Sequence, residues 1–476
     1  MALVLGVDSS TQATKLELRD ATTGRLQASA RAPHPAVSPP RSEQDPGAWW
    51  AALGRAGVEL GRPAVAALAI AGQQHGMVVL DPGGAVVRPA KLWNDTESAP
   101  DASALVERLG VKGWSQAVGL VPVASYTVTK LAWLRRCEPE AWARLARVLL
   151  PHDWLNLRCT GRAATDRGDA SGTGYWSAAA GEWRPDLLAL IDDERDWLGC
   201  LPEVRAPAEA SGHLVGEARD LFGPAVVGPG TGDNMAAALG LGLASGDVAI
   251  SVGTSGTVYG VSDSPVADPT GTVAGFADAA GGFLPLVCTL NAARVHDTVA
   301  ALLGVDHDGL DELALGAPAG ARGLTLLPYL DGERTPNRPD ATGTLAGLRT
   351  THERADLARA AVEGVIHGLL DGLDALEAQG VAADRRFLLT GGGARSRAVR
   401  QVLADLAGRP VEVHTDTEMV ARGAAVQAAA ILAGGQPGEV AAAWRPRPDA
   451  VVEPDDRLDR ATLRAAYHEL RDRDAG

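Results

Sequence analysis

The hydrophobic and polar positions of this chain switch between the strand period of two and a helical period of about 3.6, the pattern of an α/β protein. Residues 3–7 (LVLGV) form a short apolar run, Asp8-Ser9-Ser10-Thr11 is polar, and Lys15-Leu16-Glu17-Leu18 alternates. This predicts strand, polar turn, strand. The arrangement returns at VAISVG (248–253), Thr254-Ser255-Gly256-Thr257 and VYGV (258–261). Two such units half a chain apart suggest two related lobes, although hairpins with Ser and Gly turns are too common for the echo alone to establish a duplication.

Residues 65–81 read as two buried strands around the polar turn Gln73-Gln74-His75. Residues 127–150 read as helical, 161–174 as a Gly-, Ser- and Asp-rich coil, and 224–230 (PAVVGPG) as a strand running into glycines. Asp233 opens a helix of small residues, which must pack closely against another element. Leu357, Ala361, Val365, Leu369 and Leu373 stand four apart and predict a helix over 355–379, ended by Gly380. FLLT (387–390), three glycines, a helix carrying Val399, Val402, Leu403 and Leu406, and VEV (411–413) form a βαβ unit, hence parallel sheet. Residues 437–476 are richer in Pro and charge and end in a predicted surface helix. A boundary near Ser245–Gly246 divides the chain into domains 1–245 and 246–476 without a long linker, and a ligand-binding cleft is expected between them.

Composition narrows the partners. At 476 residues the chain is long enough for two or three domains, and 46% apolar with 22% charged residues is globular. A net charge of −15 argues against nucleic acid or an anionic membrane as main partner. An anionic ligand would therefore need local backbone N–H groups, a metal ion or a few basic side chains. Cys137, Cys159, Cys200 and Cys288 show no metal or redox spacing, which predicts reduced thiols. The start MALVLGVDSS lacks the basic residues of a signal peptide, and Gln73, Gln74 and His75 interrupt the longest uncharged window (63–80). A cytoplasmic protein is expected.

Five segments could carry chemistry. Asp8, at the end of a buried strand before hydroxyl residues including Thr11, can hold hydrated Mg²⁺ beside a polyphosphate; it can equally cap its own turn. Gly253-Thr254-Ser255-Gly256-Thr257 offers backbone donors to a phosphate, or is an ordinary hairpin turn. Gly391-Gly392-Gly393-Ala394-Arg395-Ser396 lies between strand and helix and suits either a nucleotide against the backbone or tight helix packing. It matches neither GxGxxG nor GxxxxGK[ST]. Asp233 is a helix cap or a general base, the helix field favouring its ionised form, and Asn234 beside it can bond a polyol. Gln73-Gln74-His75-Gly76 with Leu92-Trp93-Asn94-Asp95 supplies amides, imidazole, carboxylate and indole, the set that grips a sugar.

Taken in order, GVDSSTQATK (6–15), GQQHGM (72–77), LWND (92–95), DASGT (169–173), GTGDN (230–234), SVGTSGT (251–257), LPYLDGERTP (327–336), LTGGGARS (389–396) and GAAVQAA (423–429) resemble the FGGY family of carbohydrate kinases, from residue 3 to about 433. The resemblance implies the two-lobed actin-like ATPase (ribonuclease H-like) α/β fold, a duplicated βββαβα core with ATP and sugar meeting in an interlobe cleft. It gives the N-terminal lobe the sugar and base, and the C-terminal lobe the nucleotide. By motif position Asp233 is the implied catalytic base and Asp8 the carboxylate near Mg²⁺ and phosphate. Gln74, His75 and Asn234 fall at sugar contacts, Thr11, Gly253 and Thr254 in phosphate-facing turns, and Gly391, Gly392 and Ser396 on the adenosine side. The segments match best the members that phosphorylate D-xylulose at its 5-hydroxyl with ATP and Mg²⁺. Another polyol or ketose (ribulose, gluconate, glycerol) is the alternative, and a non-kinase actin-like ATPase a further one. Gln74 stands where the xylulose-phosphorylating members usually have Met in GQMHG, which can retune hydroxyl recognition and so bears on the exact ketose but not on the phosphotransfer. The sugar and ATP are the expected partners, with a homodimer among the assemblies allowed.

Overall fold

The computed structural model describes residues 2–416 and 418–473. The chain forms two compact units, and neither is continuous in sequence. The first comprises residues up to Ala244, Asp263–Leu284 and Glu418–Pro446; the second comprises Ser245–Ser262, residues 285–416 and residues 447–473. This departs from a single cut near residue 245 for a packing reason. Helix Met419–Ala433 lies against strands Leu3–Ser9 and Ala67–Gly72. It can do so because both surfaces are small: a Cβ on Gly6 would lie 1.9 Å from the Ala421 carbonyl oxygen.

The first unit's sheet runs in the order Gly212–His213, Val226–Val227, Ala67–Gly72, Leu3–Ser9, Ala13–Asp20, Leu26–Pro33. The apolar run of Leu3–Ser9 is central and almost wholly buried, pairing antiparallel with Ala13–Asp20 (Val7 opposite Leu16) and parallel with Ala67–Gly72 (Val7 opposite Ile70). In the second unit the order is Ala450–Val452, Val411–Val413, Phe387–Thr390, Val248–Val252, Gly256–Gly260, then Phe283–Thr289. Ile250 again faces an antiparallel partner, Val258, and a parallel one, Leu389. The two sheets thus share strand order and strand direction, and the hairpin echo in the sequence is a true structural repeat.

Helix Arg354–Ala378 and the βαβ unit form where their periodicity predicts. Other segments differ from expectation. Residues 127–150 hold helix Thr127–Cys137, a short helix Pro139–Arg144 and strand Arg147–Leu149, because Pro139 stops the first helix and the apolar end pairs with Val78–Leu80. The 161–174 coil contains strand Ala164–Asp166 and the helical turn Arg167–Ala170. The C-terminal tail is more than surface: strand Ala450–Val452 extends a sheet, and helix Arg460–Arg473 buries Tyr467 and Leu470 beside Leu327 and Tyr329. Among the described residues no helix is long and apolar enough to cross a membrane.

Candidate active site

In the first unit, three parallel strands end at one level. Ser9 pairs with Gly72, and Gly72 pairs with Gly232. Asp8, Gln73 and Asp233 therefore leave the sheet side by side at its carboxyl edge, where open α/β sheets bind ligands. Here the sequence-predicted residues Asp8, Thr11, Gln74, His75, Asp233 and Asn234 come together.

Asp8 is almost fully buried. The Ser10 hydroxyl donates to it, and Lys15 Nζ lies 3.7 Å away while also reaching Glu418 at 3.0 Å. Burial raises the Asp8 carboxyl to about 6, against the pull of Lys15. Asp233 is partly exposed at the first turn of helix Asp233–Gly240. The backbone N–H of Asn234 donates to its Oδ1 at 2.8 Å and the Asn234 amide at 3.1 Å. The helix field was expected to keep Asp233 ionised; instead burial, reinforced by Asp8 and Asp169, lifts it to about 7. Desolvation and like charge outweigh a short helix's field.

Gln74 turns toward Asn234. Its Oε1 accepts from Asn234 Nδ2 at 2.5 Å, and its Nε2 meets Met235 Sδ at 3.1 Å. His75 has a left-handed backbone (φ 60°), unusual for a residue with a side chain. Its N–H donates to Asp169 Oδ1 at 3.1 Å, and its carbonyl accepts from the Thr127 hydroxyl at 3.0 Å. The ring stacks on Phe276 (5.4 Å) and meets Tyr126 edge-on (5.2 Å). A Cβ on Gly172 would fall 2.0 Å from His75 Nδ1, so the glycine of DASGT makes room for this ring. Thr11 accepts from Trp93 Nε1 at 2.9 Å and donates to Gln73 Oε1 at 3.1 Å. It lines a cavity of about 540 Å³ with Ser10, Lys15, Arg31 and Trp93.

The nucleotide candidates lie in the second unit. Gly253, Thr254, Gly392 and Ser396 line a cavity of about 570 Å³. The three glycines divide the two readings between them. Gly391 has φ 84°, Gly393 packs against Val252 with no room for a Cβ, and Gly392 faces open space. Gly391 is not among the lining residues. Ser396 Oγ donates to Asp311 Oδ1 at 2.5 Å and accepts from the Val399 N–H at 3.0 Å, capping helix Arg397–Ala407.

Of the buried polar groups at these sites, Gln73 belongs to a segment the sequence singled out, while His296 carries no sequence signal. Gln73 Nε2 and His296 Nε2 are buried without hydrogen-bond partners among the described residues. His296 lines the second cavity, and burial lowers it to about 4, so its ring is neutral. Two acidic groupings away from these sites are already neutralised: Glu43, Asp95 and Glu97 each contact the buried Lys91, and Asp371 and Asp374 contact Arg464.

Comparison with known proteins places this geometry. Residues 3–240 match the N-terminal domain, and residues 248–432 the C-terminal domain, of the FGGY family of carbohydrate kinases. The chain is 47% identical over 465 residues to the xylulose kinase of Streptomyces coelicolor, covering 97% of this chain and 94% of that one. It is 37% identical to the xylulose kinase of Escherichia coli, over 87% of this chain and 86% of the relative. The crystal structure of xylulose kinase from Bifidobacterium adolescentis superposes with a TM-score of 0.89 at 42% identity, covering 99% of each chain. The chain belongs to the FGGY family of carbohydrate kinases, and its two α/β units have the family's actin-like ATPase fold.

Proposed function

We propose that this protein transfers the γ-phosphoryl group of ATP to the 5-hydroxyl of D-xylulose, with Asp233 as general base. The reading rests on one observation above others: Asp8, Gln73 and Asp233 emerge together from three adjacent parallel strands, beside His75. The relatives named xylulose kinase support the choice of sugar. In this proposal the first unit holds the sugar and the base, and the second holds the nucleoside of ATP beside Gly253, Thr254, Gly392 and Ser396. The cytoplasm, which supplies ATP, is the proposed compartment.

Asp233 takes the proton of the attacking hydroxyl as its oxygen bonds to the γ-phosphorus and the bond to the β-phosphate oxygen breaks, releasing ADP. A carboxyl poised near 7 is matched to that task. Asn234 orients the base through its backbone and amide donors, and Gln74 fixes the Asn234 amide in turn. His75, held by Asp169 and Phe276, presents one face of the sugar pocket. The residues also suit Mg²⁺: Asp8 offers hard oxygen ligands, and burial raises the pKa of both Asp8 and Asp233, a cost that a bound cation would offset. Asp8 would hold the ion, partly through water, and the ion would supply neutralisation of the phosphate charge.

A coupled ADP-release assay across ketoses, polyols and aldonic acids, with and without Mg²⁺, tests the proposal; D-xylulose should give the highest kcat/KM. Asp233→Asn should fold normally and bind the sugar while kcat falls about 10²–10⁴-fold. Near-normal turnover in that variant would remove Asp233 from the role.

A further inference from the structure

Directly behind the sugar residues lies a buried charge cluster that the reaction as described does not use. Helix Pro151–Thr160 brings in His152, which is fully buried. Three buried carboxylates surround its ring: Asp169 Oδ2 is 3.1 Å from Nδ1, while Asp153 Oδ1 and Asp166 Oδ1 are 3.1 and 3.5 Å from Nε2. The ring packs beneath the strand ends that carry the site. A Cβ on Gly72 would come within 3.1 Å of His152 Cβ, and one on Gly230 within 2.7 Å of His152 Cδ2.

Two of these carboxylates lead outward. Asp169 uses its other oxygen to accept the His75 N–H at 3.1 Å, and the same oxygen lies 3.6 Å from His75 Nδ1. Asp166 accepts the Thr231 hydroxyl at 2.7 Å, two residues before Asp233, and also caps the turn that carries Asp169. Burial pushes the Asp153 carboxyl up to about 7 and raises Asp166 as well, so around a neutral ring these carboxylates would lack a counter-charge. Burial opposes charge on the ring, but Asp153, Asp169 and Asp166 reverse this and hold the imidazolium up at about 9.

We propose that His152 is a positioning residue for phosphoryl transfer, a buried imidazolium that clamps Asp169 and Asp166 and through them fixes His75 and the Thr231–Asp233 segment around the acceptor sugar. His152 touches neither the sugar nor the nucleotide; it acts through the two carboxylates. The inference rests on the sugar-kinase reading above and adds the device that holds its sugar subsite in shape. The unusual left-handed backbone of His75 is the feature that needs such a clamp.

The test compares His152→Gln, His152→Lys and Asp169→Asn in the full chain. The readouts are KM for the sugar, KM for ATP, kcat, and sugar binding without ATP by calorimetry. His152→Gln should raise the sugar KM and weaken sugar binding by about tenfold or more while the ATP KM stays within about twofold. His152→Lys, which restores the cation, should recover sugar binding to within about threefold of the parent. Asp169→Asn keeps the shape but not the charge and should resemble His152→Gln. An unchanged sugar KM in His152→Gln, an equal rise in both KM values, or a Lys variant no better than Gln overturns the proposal. If His152→Gln yields no folded protein, Asp169→Asn decides: weakened sugar binding supports the clamp, and parental binding refutes it. The comparison is read with whichever acceptor the parent enzyme phosphorylates, so an error in the assigned sugar or base would show in the substrate panel and in Asp233→Asn, not here.

Discussion

Asp233 shows how far a single residue can be read from sequence. The sequence left it a helix cap or a general base, and its acidity could not be read, because its burial and the charges of Asp8 and Asp169 beside it arise only in the fold. With the folded carboxyl near 7, the proposed base is protonated below that value and ionised above it. The value of kcat/KM should therefore rise as pH increases through about 7 and then level, and a pH-rate profile measures this. The same shift bears on stability. An unfolded aspartate titrates near 3.9, so between about 4 and 7 the folded chain holds a proton that the unfolded chain has lost. This group's contribution is complete below that window and is lost as pH rises through it. Asp233→Asn should accordingly be more stable than the parent by about 1–3 kcal/mol at pH 8, unfolding at a higher temperature, and unfold at nearly the same temperature at pH 4. No difference at pH 8 would mean that the carboxylate is not destabilised by its site.

At the scale of elements, the motif GAAVQAA (423–429) could be recognised but not explained from sequence. In the fold it is the interior of helix Met419–Ala433. A Cβ on Gly423 would lie 1.8 Å from the Ala236 carbonyl oxygen, and one on Gly240 would lie 2.1 Å from that of Met419. Gln427 then accepts the Gly230 N–H at 2.9 Å and donates to the Gly230 carbonyl at 3.0 Å. The helix thus sets the position of the segment that ends in Asp233. Gly423→Ala should cost about 1–3 kcal/mol in thermal or denaturant unfolding and also lower kcat, since the backbone of the Asp233 helix must shift. A variant of parental stability and turnover would show that the contact yields without strain. The small-residue pattern of 233–244 did predict close packing; the partner could not be named because it lies almost 200 residues away.

For the whole molecule, the repeated hairpin was the most legible feature. The two hairpins at 3–20 and 248–261 belong to sheets that share order and direction over six strands. The return of residues 263–284 and 418–446 to the first unit was not legible, because contacts such as Gly6 with Ala421 leave no local trace in the pattern. His152 was hidden for the same reason, since its carboxylate partners Asp166 and Asp169 lie 14 and 17 residues along the chain. A chain ending at residue 416 would lack helix Met419–Ala433 and so expose the apolar face of strands Leu3–Ser9 and Ala67–Gly72. It should be recovered as aggregate, without a cooperative unfolding transition; a soluble product with sugar binding intact would contradict the packing described.

The late position of that helix also sets when the first unit can be completed during synthesis. The strand bearing Asp8 leaves the ribosome among the first segments, yet Gly423, which packs in its covering helix, follows roughly 20–80 s later at about 5–20 residues per second. Throughout that interval the nascent first unit presents an uncovered apolar surface, a natural resting place for a chaperone. An interrupted translation product would lack Gln427, and with it the two hydrogen bonds that hold Gly230 three residues before Asp233.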